Sequence, residues 1–529
     1  MSPQPHRWLL YLLAFTAGMT TMAVEFATSR LLGNIYGTSN IVWGCIIAMV
    51  LAYLTLGYFI GGRWADRSPH ILTFYQLLAW AAMTSALIPF IARPALWGAA
   101  QAIARLDVAG IALWVPLTMV VFIVPVVLLG CVSPFVVRLA MDDPAHSGMI
   151  VGRVYAVSTV GSLAGTFGAV LLTIPLVGTS RTFLIFAGVL MGLALVGLFL
   201  ASRRRAAFNL WMPIALVILA VLGRGGTLKP PPDGLVLLYE TETPYNLVQV
   251  VETRHGDRLM LLNEGIGVHS VYNPDRPVAY TGGVWDYFLC GPYFNQPPYT
   301  PDRIERITII GLAGGTVAQQ YTGVYGPIPI DGIEIDPGLV EAGREYFGMT
   351  MPNLNVIVED GRVGLNQLGS GYTMIGIDAY RVPYIPWHLT TVEFFREVQS
   401  HLAEDGVVTL NVGRTPINRD LVEAVTATLL EVFPSVHIVD PPNTFNSFVI
   451  ATNQPTSAEN LLANINALPA DAHPLLRASL ELAYTNLQPT ISSGIVLTDD
   501  HAPVEGIVNA LVLEYILAGQ AGQIQMLGQ

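Results

Sequence analysis

Along the first 223 residues the apolar positions run together rather than alternate. Apolar runs fall at about 8–29, 41–62, 71–92, 111–137, 150–176, 181–201 and 206–223. A helix needs about 20 such residues to cross the hydrocarbon layer. The first six runs therefore read as membrane spans. The seventh is shorter and contains Pro213, so spanning, tilting and lying at the interface all stay open. The first run is too long for a signal peptide, and no small-residue cleavage site closes it. The piece 94–105, with Trp97 and Arg105, reads as interfacial or re-entrant rather than as a span.

After 223 the pattern changes. Residues 224–234 (Arg-Gly-Gly-Thr-Leu-Lys-Pro-Pro-Pro-Asp-Gly) form an extended linker, because Gly and the Pro run do not continue a helix. Short β-rich runs follow at 235–240, 246–253 and 258–262, joined by turn residues such as His255-Gly256-Asp257. Farther on, strands at 307–310, 330–336, 355–361, 374–378, 406–412, 435–439 and 447–451 are interleaved with helices at 337–347, 391–403 and 418–432. Such alternation implies a doubly wound sheet. The expected fold class is a multi-pass α-helical membrane domain (1–223), the linker (224–234), a small β-strand domain (235–300), and an α/β Rossmann-like domain of class I methyltransferase type (301–529).

Charge sharpens this division. The 529 residues are 52% hydrophobic and only 12% charged. Residues 1–223 hold 12 arginines, no lysine and five acids, whereas the remainder holds 14 basic and 33 acidic residues. So acidic a half is a poor nucleic-acid binder, since phosphate contacts need a basic face; the charge reads either as weak attraction of small cations at low salt or as plain solubility. Arg7, Arg63, Arg67, Arg138, Arg153 and Arg203–Arg205 fall on one side of the alternating spans, and Arg30, Arg93, Arg105 and Arg181 on the other. The first side is expected to be cytoplasmic. The loop Gly61–Arg67 resembles the cytoplasmic loop between the second and third spans of major facilitators. Six spans leave the acidic half inside the cell and seven would place it outside; the reading is a cell-membrane protein with that half in the cytoplasm. Glu25 lies within the first run, where an ionisable residue is a functional candidate by default. It reads either as a partner of Arg30 or a neighbouring helix, or as a site for a cationic solute. Cys45, Cys131 and Cys290 are far apart, and no His/Cys/Asp spacing suggests a metal.

Candidate chemistry gathers at the ends of the later strands. Gly311-Leu312-Ala313-Gly314-Gly315 follows strand 307–310, where glycines let a backbone approach a ligand closely. Glu334 comes 20 residues after Gly314, the spacing of an acid that accepts from ribose hydroxyls. Asp336, Asp360-Gly361 and Asp378 end further strands. Asp336-Pro337 is also a good helix start, and Asp360-Gly361 also reads as a turn. Near the end of the chain, Asp499-Asp500-His501 reads as a helix cap or as a lid on the site; His269 and His388 are equally open.

The series Gly311–Gly315, Glu334-Ile335-Asp336, Asp360-Gly361 and Asp378 resembles the spermidine synthase (polyamine aminopropyltransferase) family. Pro244-Tyr245-Asn246 resembles its Tyr-Gln motif and Leu262-Asn263-Glu264-Gly265 its Leu-Asp-Gly segment. Trp285-Asp286-Tyr287 falls where the family has Tyr-His-Glu. The likeness covers roughly 235–450, and the apolar half is similar to the N-terminal part of membrane-bound, fused members. The resemblance implies decarboxylated S-adenosylmethionine as co-substrate, methylthioadenosine as product, a small cationic acceptor such as putrescine, and no metal. Glu334 would hold the ribose hydroxyls, Asp360 the adenine amino group, and Gly311 would admit the nucleoside, with Gly314, Asp336 and Gly361 on the same cofactor side. Tyr245, Asn246, Glu264, Asp286, Tyr380 and Arg381 would face the substrate. Asp378 would orient the attacking amine and take its proton.

Two positions depart from the family: Gly314 stands where it carries an Asp, and Asp378-Ala379-Tyr380-Arg381 where it has Asp-Ser-Ser-Asp. At about 4 Å, Arg381 would repel an ammonium by several kcal/mol. Two alternatives follow: a methyltransferase using intact S-adenosylmethionine, and a non-catalytic transporter or sensor that binds a nucleoside or polyamine. The expected partners are the polyamine and the lipid bilayer, with a homodimer left open.

Overall fold

A computed structural model describes residues 7–36, 39–104, 108–141, 147–222, 227, 229–263, 267–278, 280–380 and 384–518. Glu264 and Arg381, two of the expected substrate residues, lie outside the described residues, as does Arg105. The chain divides into two compact units, Met1–Pro230 and Pro231–Gln529.

In the first unit, seven helical stretches among the described residues are long and apolar enough to cross a membrane: Trp8–Tyr36, Asn40–Arg67, Ile71–Ala99, Leu113–Ala140, Ser147–Val177, Thr179–Ala201 and Arg203–Val221. The seventh run is thus a full-length candidate span. The segment from 94 onward is not a separate interfacial piece, because one helix runs from Ile71 to Ala104 through Pro89 and Pro94. Its inner face of Ala92, Ala95, Leu96 and Ala99 stays buried, so packing holds the helix together past the two missing N–H donors. The first and fifth stretches pack backbone to backbone. A Cβ at Gly161 or Gly165 would collide with the Phe15 or Met19 carbonyl oxygen, and one at Gly18 with that of Ser158. Small residues are what permit this closeness. Past Gly165 the fifth stretch widens into a π-helical turn over Gly168–Thr173.

The second unit opens with an antiparallel meander of β1 (Val236–Glu242), β2 (Leu247–Glu252), β3 (Arg258–Leu262) and β4 (Val268–Tyr272). Next comes a 3-10 segment, Val284–Phe294, whose residues from Trp285 to Phe294 are all buried. The sequence reading assigned this stretch to the small β domain. It belongs instead to the main core: Phe288 lies against Gly376, and Gly291 against Thr409. The main sheet comprises β5 (Ile307–Ile310), β6 (Ile330–Glu334), β7 (Leu354–Val358), β8 (Tyr372–Ile377), β9 (Leu402–Gly413), β10 (Ser435–Val439), β11 (Asn446–Thr452) and β12 (Leu487–Gln488). Its order is β12-β10-β11-β9-β8-β5-β6-β7. The β7-β6-β5-β8-β9 portion is parallel, and β11 runs antiparallel between β9 and β10. This is the class I methyltransferase arrangement.

The central strands are apolar and buried on both faces, as parallel strands covered by helices must be. From β5 the chain crosses to β6 and β7 on one side and returns to β8 on the other. That reversal opens a crevice at the carboxyl ends of β5 and β8, where ligands of open α/β sheets bind.

Candidate active site

The turn after β5 shapes the crevice. Gly311 has φ of +89°, and a Cβ there would lie 2.5 Å from the Asp378 carbonyl oxygen and 2.7 Å from the Ala379 nitrogen. The Asp378 N–H donates to Ile310 O at 2.8 Å. Gly311 therefore lets the ends of β5 and β8 touch backbone to backbone, a role different from the ligand approach expected of it. Gly314 donates its N–H to Ser270 Oγ at 2.8 Å. A Cβ at Gly314 would sit 2.9 Å from Ser270 Cβ and 3.1 Å from Phe347 Cγ. The space beside Gly314 is thus filled by β4 and by the end of the helix Pro337–Tyr346.

The strand-end carboxylates divide into two kinds. Asp336 is fully buried and takes three donors: Gly338 N at 3.0 Å, Thr243 Oγ1 at 2.6 Å and Asn246 Nδ2 at 2.9 Å. Asn246 is in turn held by Asn263 Nδ2 at 2.7 Å. Asp336 and Asn246, expected at the cofactor and substrate, instead join the meander to the helix that Asp336 caps. Asp286 is likewise fully buried and accepts from Thr281 N, Gly282 N and Gln320 Nε2, the last at 2.6 Å. No face of it remains for a substrate, because burial has turned it into an anchor for its own loop. Asp360 caps the helix Gly361–Asn366 with one oxygen and meets His388 Nε2 at 2.9 Å with the other. Burial opposes its charge, but the backbone N–H donors and His388 outweigh it and hold the carboxyl below its ordinary range.

Glu334 and Asp378 are of the other kind. Glu334 ends β6, and its two oxygens accept from Ala313 N at 2.9 Å and Asp336 N at 3.1 Å. Desolvation outweighs these bonds and pushes the carboxyl up to about 7. Asp378 follows β8 and accepts one side-chain hydrogen bond, from Asn411 Nδ2 at 2.9 Å. Burial pushes it up to about 7 as well, although the residue as a whole is only half-buried. Its place just past the carboxyl end of β8 puts it where the topology opens the crevice. Strands lie about 4.8 Å apart, so with β5 between them the strand ends that carry the two carboxylates stand about 10 Å apart along the sheet edge.

Tyr245 is half-buried, with its N–H on Thr243 Oγ1 at 3.1 Å. Tyr380 is half-buried, and burial, with the Asp378 charge nearby, pushes its hydroxyl well up. His269 on β4 is half-buried, and desolvation lowers its imidazole to about 4, so it is neutral at pH 7. Asp499 does not serve as a helix cap: it pairs with Arg362 at 2.9 Å, and Arg362 also binds Glu397. This network braces the turn that carries Asp360.

Several residues escaped the sequence reading. Asn411 orients Asp378 and is itself oriented by Asn446 Nδ2 at 2.8 Å. Its signal was a lone amide in the apolar run Val407–Val412. Ile335 and Val358, 40% and 50% exposed, lie at the ends of β6 and β7, with Val358 opposite Glu334 in the register, and Val363, 49% exposed, lies on the helix that follows. Among the described residues no group of three or more His, Cys, Asp or Glu is placed to hold a metal ion.

Residues 298–453 match the family model of the spermine/spermidine synthase domain. A "probable polyamine aminopropyl transferase" of Bifidobacterium longum is 29% identical over 337 residues, covering 58% of this chain and 71% of that protein. A polyamine aminopropyltransferase of Vibrio vulnificus is 33% identical over 197 residues, covering 36% of this chain and 60% of that protein. Among solved structures, a "probable spermidine synthase" from Corynebacterium glutamicum superposes with a TM-score of 0.39 at 20% identity, over 49% of this chain and 96% of that one.

Proposed function

With a spermine/spermidine synthase domain in the C-terminal half of the chain as the starting point, we propose that the protein transfers an aminopropyl group from decarboxylated S-adenosylmethionine to a diamine such as putrescine, releasing methylthioadenosine. The observation that carries this reading is Asp378: a desolvated carboxylate with a single side-chain donor, just past the carboxyl end of β8 and against the Gly311 turn.

The reaction is a displacement at the carbon next to a sulfonium. The amine lone pair forms the new C–N bond, the C–S bond breaks with its electrons going to sulfur, and the nitrogen sheds a proton. An ammonium has no lone pair, so a neighbouring base must first take a proton. An ordinary carboxylate is poorly matched to this task, since amine and carboxyl reference values lie about 6 units apart. Raising Asp378 to about 7 closes the gap by about 3 units, roughly 4 kcal/mol. Its negative charge also holds the amine in line for attack, which is most of what such a displacement requires.

Glu334 would accept from the two ribose hydroxyls, with the base resting on Ile335 and Val358 toward Asp360. The sulfonium would then fall over the β5 turn, between Glu334 and Asp378. The filled space at Gly314 means that no side chain of that turn grips the aminopropyl ammonium, so donor recognition falls to the remaining walls of the crevice. Seven apolar stretches support the further reading of a multi-pass membrane enzyme; the cytoplasmic placement of its catalytic half expected from six spans would need one of the seven not to cross.

The test is direct. Purified protein given decarboxylated S-adenosylmethionine should release methylthioadenosine only when a diamine is added. Silence across diamines of three to seven carbons would overturn the reading, as would methyl transfer from intact S-adenosylmethionine at an equal rate.

A further inference from the structure

The apolar half contains a carboxylate that the proposed chemistry does not use. Glu25 lies on the helix Arg7–Tyr36, 17 residues after Trp8 and 11 before Tyr36. At 1.5 Å per residue it stands about 25 Å from one end of the stretch and about 16 Å from the other. It is half-buried, and among the described residues no hydrogen bond or ion pair reaches it. The pairing with Arg30 considered from the sequence does not form. Five residues on a helix turn the side chain about 140° away, whereas partners three or four apart share a face.

Three further observations converge at this level. Thr28, one turn on, has a buried hydroxyl with no hydrogen-bond partner. The first and fifth stretches run parallel in tight register, with Gly161 on Phe15 and Gly165 on Met19. Carried one turn farther, that register brings Ala169 to Ala23, and the two do share an apolar cluster with Phe26 and Phe186. The π-helical turn Gly168–Thr173 therefore lies at the height of Glu25. Single π turns inside α-helices recur at functional sites, because the wider turn disturbs the regular carbonyl ladder.

We propose that Glu25 is the centre of a cation site in the apolar half, and that its occupant is a protonated amine. This inference rests on the membrane-spanning reading. In hydrocarbon an ionised carboxylate without a partner is not tolerated, so it is protonated or it holds a cation. A proton alone would neutralise Glu25 but bring a single O–H donor, too few for both the Thr28 hydroxyl and the disturbed carbonyl ladder of the π turn. An ammonium brings three N–H donors with its charge, enough for the carboxylate, the hydroxyl and a carbonyl of the π turn. The site is separate from Asp378 and would bind the same class of compound that the other half is proposed to consume or make.

The test uses the full chain in lipid nanodiscs and a hydrophobic carbodiimide, which modifies carboxylic acids in apolar surroundings. Labelling at Glu25, read by mass spectrometry, should fall at least fivefold when putrescine is added and stay unchanged with butanediol or sodium chloride. In Thr28→Val the protection should weaken at least threefold. Glu25→Gln should remove the label and leave methylthioadenosine release at the wild-type rate. Equal labelling with and without putrescine would leave a proton site only and overturn the proposal. Alkaline carbonate washing separates the two levels of failure. A chain that leaves the membrane sinks the spanning reading and this site with it; a chain that stays, yet shows no protection, sinks this site alone.

Discussion

Buried carboxylates of the two halves differ in how many donors surround them. In the α/β half, Asp336, Asp286 and Asp331 each take three or more: Asp331, for instance, is held by Arg306 at 2.8 Å, Tyr372 Oη at 2.7 Å and Asn355 Nδ2 at 2.8 Å. In the apolar half, Glu25 takes none among the described residues. Asp378 stands between these extremes with its one bond from Asn411. Removing a carboxylate from water is costly unless donors replace the water. A fully surrounded carboxylate thus serves the fold, whereas one left short of donors has capacity for a ligand. Donor count, more than burial, separates scaffold from site in this chain.

The sharpest way to break that comparison is Asp378→Asn, which should move activity and stability in opposite directions. Loss of the proton acceptor should lower kcat by about 10²–10⁴-fold, the usual range for a general base. The stability sign follows from the raised carboxyl. Below about pH 4 Asp378 is protonated folded and unfolded, and the group costs nothing. Between about pH 4 and 7 the unfolded chain releases the proton while the folded chain keeps it, so stability falls as pH rises, and the full penalty persists above 7. The amide carries no such penalty. The variant should therefore melt higher than wild type at pH 8 and no higher at pH 4. A lower melting point at both would make Asp378 another scaffold carboxylate.

Asp336→Ala should do the reverse. It leaves the Thr243 hydroxyl, the Asn246 amide and the Gly338 N–H facing a void, at a cost of about 3–5 kcal/mol. Unfolding of the C-terminal unit in denaturant should shift accordingly, while the folded fraction keeps its KM for the nucleoside. A change in KM with unaltered stability would return Asp336 to the ligand side.

These residues also mark how far the sequence could be read. The glycine turn, Glu334 and Asp378 were legible because a strand–turn–helix pattern fixes them within 70 residues, and the parallel sheet around them followed from the alternation of strands and helices. Asp336 looked equivalent to Glu334. What distinguishes them is a pair of donors, Thr243 and Asn246, about 90 residues earlier in the chain, and no local pattern announces that meeting. The stretch 284–294 was misplaced because a 3-10 segment with an internal Gly and Pro carries neither helical nor strand periodicity, although its aromatic residues fill the core. Pro94 suggested a break that packing on both sides of the third helix overrides.

Asn411 offers the smallest and most discriminating effect. Its amide donates to the ionised form of Asp378 and so lowers a carboxyl that burial raises. Hydrogen bonds to charged groups contribute about 1.5–3 kcal/mol, which is about 1–2 pKa units. In Asn411→Ala the Asp378 carboxyl should rise above 7, and the acid limb of the kcat/KM profile should move to higher pH by about one unit. Activity at pH 9, where Asp378 is ionised in both proteins, should lie within about threefold of wild type. An asparagine that merely packs would depress the profile equally at every pH, with its limb unmoved. An unmoved limb would therefore detach Asn411 from the proton step and leave Asp378 without its assigned orienting partner.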